Sequence, residues 1–153
     1  MRVTVWRHGE AGSAARDRER ALTDRGRREL IIQAQEFVAR SCAAGAQKPV
    51  AIHHSPWLRT TQTADVLAGI LEVPVVAFAT LAPGSTLVDV GQALDPAERH
   101  IVLVSHQPLV SELLWFWLDS IELPPLAPGG WATVDIIAHA RGTADLLDAC
   151  VAP

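Results

Sequence analysis

At 153 residues the chain is long enough for one domain with a buried core, and 49% hydrophobic against 20% charged residues argues against disorder. Thirteen basic and seventeen acidic residues leave a formal net charge of −4, so nothing favours nucleic acid or an anionic membrane surface as partner. Two cysteines, Cys42 and Cys150, can build neither a disulfide framework nor a four-ligand zinc site. With no apolar leader at its start and no apolar run long enough for a bilayer, the expected setting is the reducing cytoplasm.

The first predicted element is a strand, Val3 to Trp6, that stops abruptly at Arg7-His8-Gly9-Glu10. Thr23 then caps a helix, with Asp24 in its first turn and an apolar stripe of Leu30, Ile31, Ala34, Phe37 and Val38. Val50 to Ile52 reads as a second strand, ending at His53-His54-Ser55, and a second helix is expected over Pro56 to Leu71 with the proline in its first turn. Val75 to Phe78 is a third strand and Thr86 to Leu94 a short helix. His100 to Val104 is an unbroken apolar run of the kind buried on both faces of a sheet; it ends at Ser105-His106-Gln107. A helix follows from Pro108 to Trp117. After a Pro/Gly-rich loop, Trp131–Ala138 and Ala144–Cys150 form two closing strands paired as neighbours. Strands alternating with helices predict an α/β fold, a three-layer sandwich with a mainly parallel central sheet, in a single domain over residues 1–153.

The strand tips carry the chemistry. In a parallel sheet the C-terminal tips face one way, and ligands of open α/β sheets bind there. Arg7 and His8 follow the first strand, Ser55 and Arg59 the second, and His106 the buried one. Like cations gathered in one crevice repel unless an anion sits between them. Arginine forks match phosphate oxygens, and the helix starts add backbone N–H groups. The constellation predicts a phosphate site.

Four stretches in order, "RHGEA", "LTDRG", "SPWLRTTQTA" and "VSHQPLV", resemble the histidine phosphatase superfamily, the phosphoglycerate-mutase-like group. Within it the short, nearly insertion-free chain is most similar to the compact SixA-type phosphohistidine phosphatases. The resemblance implies that His8 is the nucleophile and becomes transiently phosphorylated. It makes Arg7 and Arg59 a clamp on the phosphoryl oxygens and His106 a second histidine contacting them. Gly9 would let the backbone approach closely, its carbonyl region orienting the His8 ring. It implies no metal and no cofactor.

Each residue has a plainer reading. Arg20 either reaches the phosphate or lies on the surface. Ser55 either donates to the phosphate or caps a helix. His53 and His54, adjacent on a strand, point to opposite faces and cannot share one metal ion, so structural roles are expected. The run Arg16, Arg18, Arg20, Arg25, Arg27 and Arg28, interleaved with Asp17, Glu19, Asp24 and Glu29, reads as a solvated face. Trp57 is expected on the rim of the site.

One departure from the family pattern bears on mechanism. Many esterases and mutases of the superfamily carry a glutamate after the third strand that protonates the leaving oxygen. Here "FATLAPGST" offers no carboxylate, with Glu10 the nearest candidate and Asp89 a remote one. The expected substrate is therefore a phosphorylated protein carrying phosphohistidine. The alternatives are a small phosphorylated metabolite, or a phosphate-binding module without turnover.

Overall fold

The computed structural model describes residues 1–152. Its six-stranded sheet has the order β3-β2-β4-β1-β5-β6, where β1 is Arg2–Arg7, β2 Ala51–His54, β3 Val75–Ala77, β4 His100–Ser105, β5 Trp131–Ile136 and β6 Ala144–Cys150. The first four strands in that order pair in parallel; β5 runs antiparallel to β1 and β6 antiparallel to β5. The mainly parallel sandwich read from the sequence is the observed architecture.

Period-two alternation along the central strands sorts side chains between two cores. Val3 and Val5 of β1, with Ile101 and Leu103 of β4, pack against Leu109, Leu113 and Trp117 of α4 (Leu109–Leu118). Trp6, Val102 and Val104 face the other way. They meet Leu30, Ala34 and Phe37 of α1 (Asp24–Ala43) and Ala64, Leu67 and Leu71 of α2 (Leu58–Leu71). Every residue of β4 is buried, as its unbroken apolar run required. On the α1 side Trp6, Phe37 and Trp131 form a three-ring cluster with centroids 5.1–5.9 Å apart.

Several element boundaries differ from expectation. Strand β3 stops at Ala77, β5 stops at Ile136, two residues before Ala138, and Pro108 is the N-cap of α4 and not its first residue. Three further differences have a clear physical reason. Helix α2 starts at Leu58, with Trp57 as its N-cap, so Pro56 lies before the helix. The chain needs Ser55 to Trp57 to turn out of β2, and Thr60 closes that turn by donating its hydroxyl to the carbonyls of Ser55 and Trp57. The short helix over Thr86–Leu94 is one α-turn, α3 (Leu87–Val90), capped reciprocally by Thr86 and Asp89, followed by a 3₁₀ turn at Gly91–Ala93. Strand β2 runs on through both histidines. They are tolerated there because each ring donates Nδ1–H to a carbonyl, His53 to Ala93 and His54 to Ser55. His53 also stacks on Phe78 at 4.6 Å, and His54 faces Thr61 of α2. The two rings therefore sit on opposite sides of the sheet.

A third buried histidine anchors the opposite end of the sheet. His100 donates Nδ1–H to the Gln47 carbonyl at 2.7 Å, and its Nε2 accepts from the Thr4 hydroxyl at 2.9 Å. Thr133 completes the chain through Thr4. Burial, with the charge of Arg2 adding to it, lowers the His100 pKa from 6.5 to about 4. The unfolded chain therefore binds a proton there that the folded chain does not. The contribution is fully present above pH 6.5 and is lost as pH falls through 4. At 1.36 kcal/mol per unit it amounts to about 3 kcal/mol. The expected result is a Tm that is level above pH 6.5 and drops steadily below it; a Tm constant from pH 7 to 4 would contradict the neutral, buried ring.

Candidate active site

The tips of β1, β2 and β4 are adjacent because β4 lies between β1 and β2. Backbone bonds knit them beyond the ladder: His8 donates to the Ser105 carbonyl and Ser55 to that of Val104. The first turn of α1 closes over the loop that follows β1. Thr23 caps the helix by accepting from the Gly26 amide, and its own hydroxyl donates to Glu10 Oε1 at 2.8 Å. A Cβ on Gly26 would stand 2.4 Å from the Glu10 carbonyl oxygen, and one on Gly9 would stand 2.6 Å from Leu30 Cδ1. Both glycines are demanded by close approach of the loop to α1, which gives "LTDRG" and "RHGEA" a shared packing reason.

His8 is 8% exposed. Its Nδ1 lies 2.8 Å from the Gly9 carbonyl, which can only accept, so Nδ1 carries the hydrogen and Nε2 holds the free lone pair. Arg59, 4% exposed, donates Nε–H to that lone pair at 3.1 Å. Thr63 also ties the Arg59 backbone to Gly9, the residue after His8. Its hydroxyl accepts from the Gly9 amide and donates to the Arg59 carbonyl one helical turn back. The His106 ring stands 5.2 Å from His8 and 5.3 Å from Trp57. Its Nε2 pairs with the Ser55 hydroxyl at 2.8 Å, while its Nδ1 is buried without a partner. Arg7 donates to the Leu126 carbonyl, and its Nε is likewise buried and unpaired.

Burial lowers the His8 pKa to about 4, and the charges of Arg59, Arg7 and Arg20 reinforce it against the Gly9 carbonyl. His106 falls to about 3 for the same leading reason, with His8 and Arg59 adding. Both imidazoles are neutral at pH 7, so the His8 Nε2 carries a lone pair, which Arg59 holds in this structure.

The remaining predicted residues divide. Ser55 is fully buried and bonds His106; the N-cap of α2 is Trp57. Arg20 is half-exposed and donates to the Gly12 and Ala11 carbonyls and to Asp17. Trp57 is on the rim, with the Arg59 guanidinium 4.9 Å above its ring. Glu10 is turned to the Thr23 hydroxyl and lies within 4.0 Å of Arg25. Asp17, read as part of a solvated face, in fact pairs with both Arg20 and Arg59. Thr63 was also missed, although its place four residues after Arg59 puts it on the same helix face. The broad hollow between Glu112, Trp115, Phe116 and Arg141 gathers no histidine, and its arginine is taken by Asp119. Among the described residues no group of three or more His, Cys, Asp or Glu is placed to hold a metal ion, and no helix is long and apolar enough to cross a membrane.

Sheet order and strand directions, with His8, Arg59 and His106 gathered at the β1, β2 and β4 tips, match the phosphoglycerate-mutase-like fold, so the resemblance carried by the four motifs holds at the level of the fold. No protein-family model and no curated protein sequence matches the chain. Among solved structures it is similar to the protein histidine phosphatase SixA complexed with tungstate, at 23% identity and a TM-score of 0.86 over 99% of this chain and 97% of that one. A putative phosphohistidine phosphatase SixA from Agrobacterium tumefaciens gives 22% identity and 0.82 over the same shares. A mycobacterial glucosyl-3-phosphoglycerate phosphatase in complex with VO3 gives 18% and 0.70 over 95% and 96%.

Proposed function

We propose that this chain is a phosphatase working through a phosphohistidine on His8, and that its substrate is protein phosphohistidine. The observation that carries the proposal is the fixed tautomer of His8: Nδ1–H on the Gly9 carbonyl, Nε2 facing Arg59. Attack by Nε2 forms an N–P bond as the bond to the leaving group breaks. The ring then carries positive charge, which the Gly9 carbonyl stabilises through Nδ1–H. Arg7, Arg59 and His106, with Ser55 behind His106, supply donors where charge grows on the phosphoryl oxygens. Water then attacks phosphorus, releasing inorganic phosphate and restoring His8. The similarity to SixA structures supports the substrate class, and so does the chemistry of the leaving group. No carboxylate occurs from Phe78 to Leu87, and Glu10 is engaged at the start of α1.

The test is to trap the intermediate. Brief exposure to phosphorylated substrate followed by an alkaline quench should leave one phosphate on His8, detected by mass spectrometry and absent from His8→Ala. An unlabelled protein that still binds phosphate would favour a binding module without turnover. A panel of phosphohistidine protein, acyl phosphate and sugar phosphates separates the protein substrate from a small metabolite.

The proposal includes independence from metal, because arginine and histidine donors do the work that Mg²⁺ does elsewhere beside carboxylates. Activity is expected to survive EDTA unchanged and to be blocked by orthovanadate, which mimics five-coordinate phosphorus. Loss of activity on chelation, restored by a divalent ion, would overturn this part.

A further inference from the structure

Resting on that reading of the site, we infer that Asp17 is the resident counter-anion of the phosphate-binding arginines, holding Arg59 on the nucleophile between turnovers and giving way to the phosphoryl group of the substrate. The loop that carries it leaves and rejoins the fold at one point. Ala11 and Leu22 form an antiparallel bridge, and the Gly12 amide donates to the Ala21 carbonyl. The excursion between them ends in a 3₁₀ turn at Asp17–Glu19. From there the Asp17 carbonyl accepts Arg59 Nη1 at 2.8 Å, and Asp17 Oδ2 takes Nη2 at 3.3 Å. Its other oxygen, Oδ1, takes Arg20 Nη1 at 3.0 Å. One carboxylate thus bridges two guanidiniums, one oxygen on each, as a phosphoryl group would.

Two features make this a resting arrangement. The Arg59 Nε–H that would serve a phosphoryl oxygen is spent on the His8 lone pair, so the nucleophile is occupied while Asp17 keeps the guanidinium in place. The ion pair is also lopsided: the Arg59 side chain is 5% exposed and that of Asp17 54%. The arginine is built into the floor, further supported by the Trp57 ring, and the anion is the replaceable partner at the solvent side. The phosphate affinity of the site is then what remains after Asp17 has been displaced. Return of the carboxylate helps expel the product.

Calorimetric titration with inorganic phosphate tests this without any need for turnover. Asp17→Asn keeps the side-chain shape and the backbone carbonyl on Arg59 but removes the charge. It should bind phosphate about tenfold more tightly. With p-nitrophenyl phosphate the change should appear as a lower KM and a lower inhibition constant for phosphate, with Asp17→Glu restoring wild-type values. Unchanged or weaker phosphate binding in Asp17→Asn overturns the inference and makes Asp17 a strut that merely orients the arginines. Tighter binding in a protein that never turns over would leave the inference standing and remove the catalytic reading instead.

Discussion

His8→Ala is expected to abolish turnover, by on the order of 10⁶-fold, the size of loss that follows removal of a covalent nucleophile. Partial rescue from neighbouring groups is not expected, because His106 directs its Nε2 to Ser55 and has no path to the same face of phosphorus without releasing it. His8 is buried, so the substitution leaves a small cavity and an unpaired Gly9 carbonyl. That costs about 1–3 kcal/mol, and Arg59 Nε–H loses its acceptor as well. A folded protein is therefore expected, with a Tm lowered by a few degrees. His8→Asn, which keeps a polar group near the carbonyl, guards against a misfolded control. His106→Ala should be milder, roughly 10²–10³-fold in kcat, as for loss of one donor to a growing oxyanion. A folded His8→Ala protein with appreciable activity would sink the mechanism.

The second large effect is in leaving-group selection. Expelling an alkoxide from an alkyl phosphate without a proton is slow, and general acid catalysis of that step is worth roughly 10²–10⁴-fold. Neither carboxylate near the site is placed to serve as that acid. Asp17 is held below the usual carboxylate range, chiefly by its bond from Arg20 and further by Arg59. Glu10 points to Thr23. Phosphohistidine leaves as an imidazole and aryl phosphates as stabilised phenolates, so both need little help. The expected result is a kcat/KM for phosphohistidine and p-nitrophenyl phosphate that exceeds that for sugar or glycerate phosphates by that factor. Glu10→Gln should slow alkyl and aryl esters equally, through its packing on α1. Comparable rates on an unactivated sugar phosphate would mean that an acid is present and unaccounted for.

The fold was readable in the sequence where local pattern and burial agree. The apolar run of β4 could only lie in the middle of a sheet, and the abrupt polar stops after Trp6, Ile52 and Val104 marked its chemical edge. The reading lost accuracy where a local signal had two outcomes. Pro56 serves a pre-helical turn as readily as a first helical turn, and two histidines ended β2 on paper because the Ala93 carbonyl that takes His53 is brought there only by tertiary packing. Asp17 was illegible for the same reason on a longer scale. Its partner Arg59 is 42 residues away, and the excursion that joins them is fixed by the Ala11–Leu22 bridge rather than by any spacing within the charged run.

The position of β1 in the sheet has a consequence for how the protein is made. Its two neighbours are β4 and β5, with Arg2 opposite His100 on one side and Asp135 on the other, so nothing encoded within the next ninety or so residues can pair with it. On the ribosome the strand that leads into His8 emerges well before either of its partners. Until β4 and α4 arrive, α1 and α2 can shelter Trp6, but Val3 and Val5, whose partners lie on α4, stay open unless a chaperone covers them, since exposed strand edges of this kind invite aggregation. Closing so distant a pairing also makes assembly of the sheet intrinsically slow. A nascent chain arrested before Ser105 lacks the strand that aligns Arg7 and supplies His106, so catalytic competence is expected to switch on late in synthesis rather than accumulate along it.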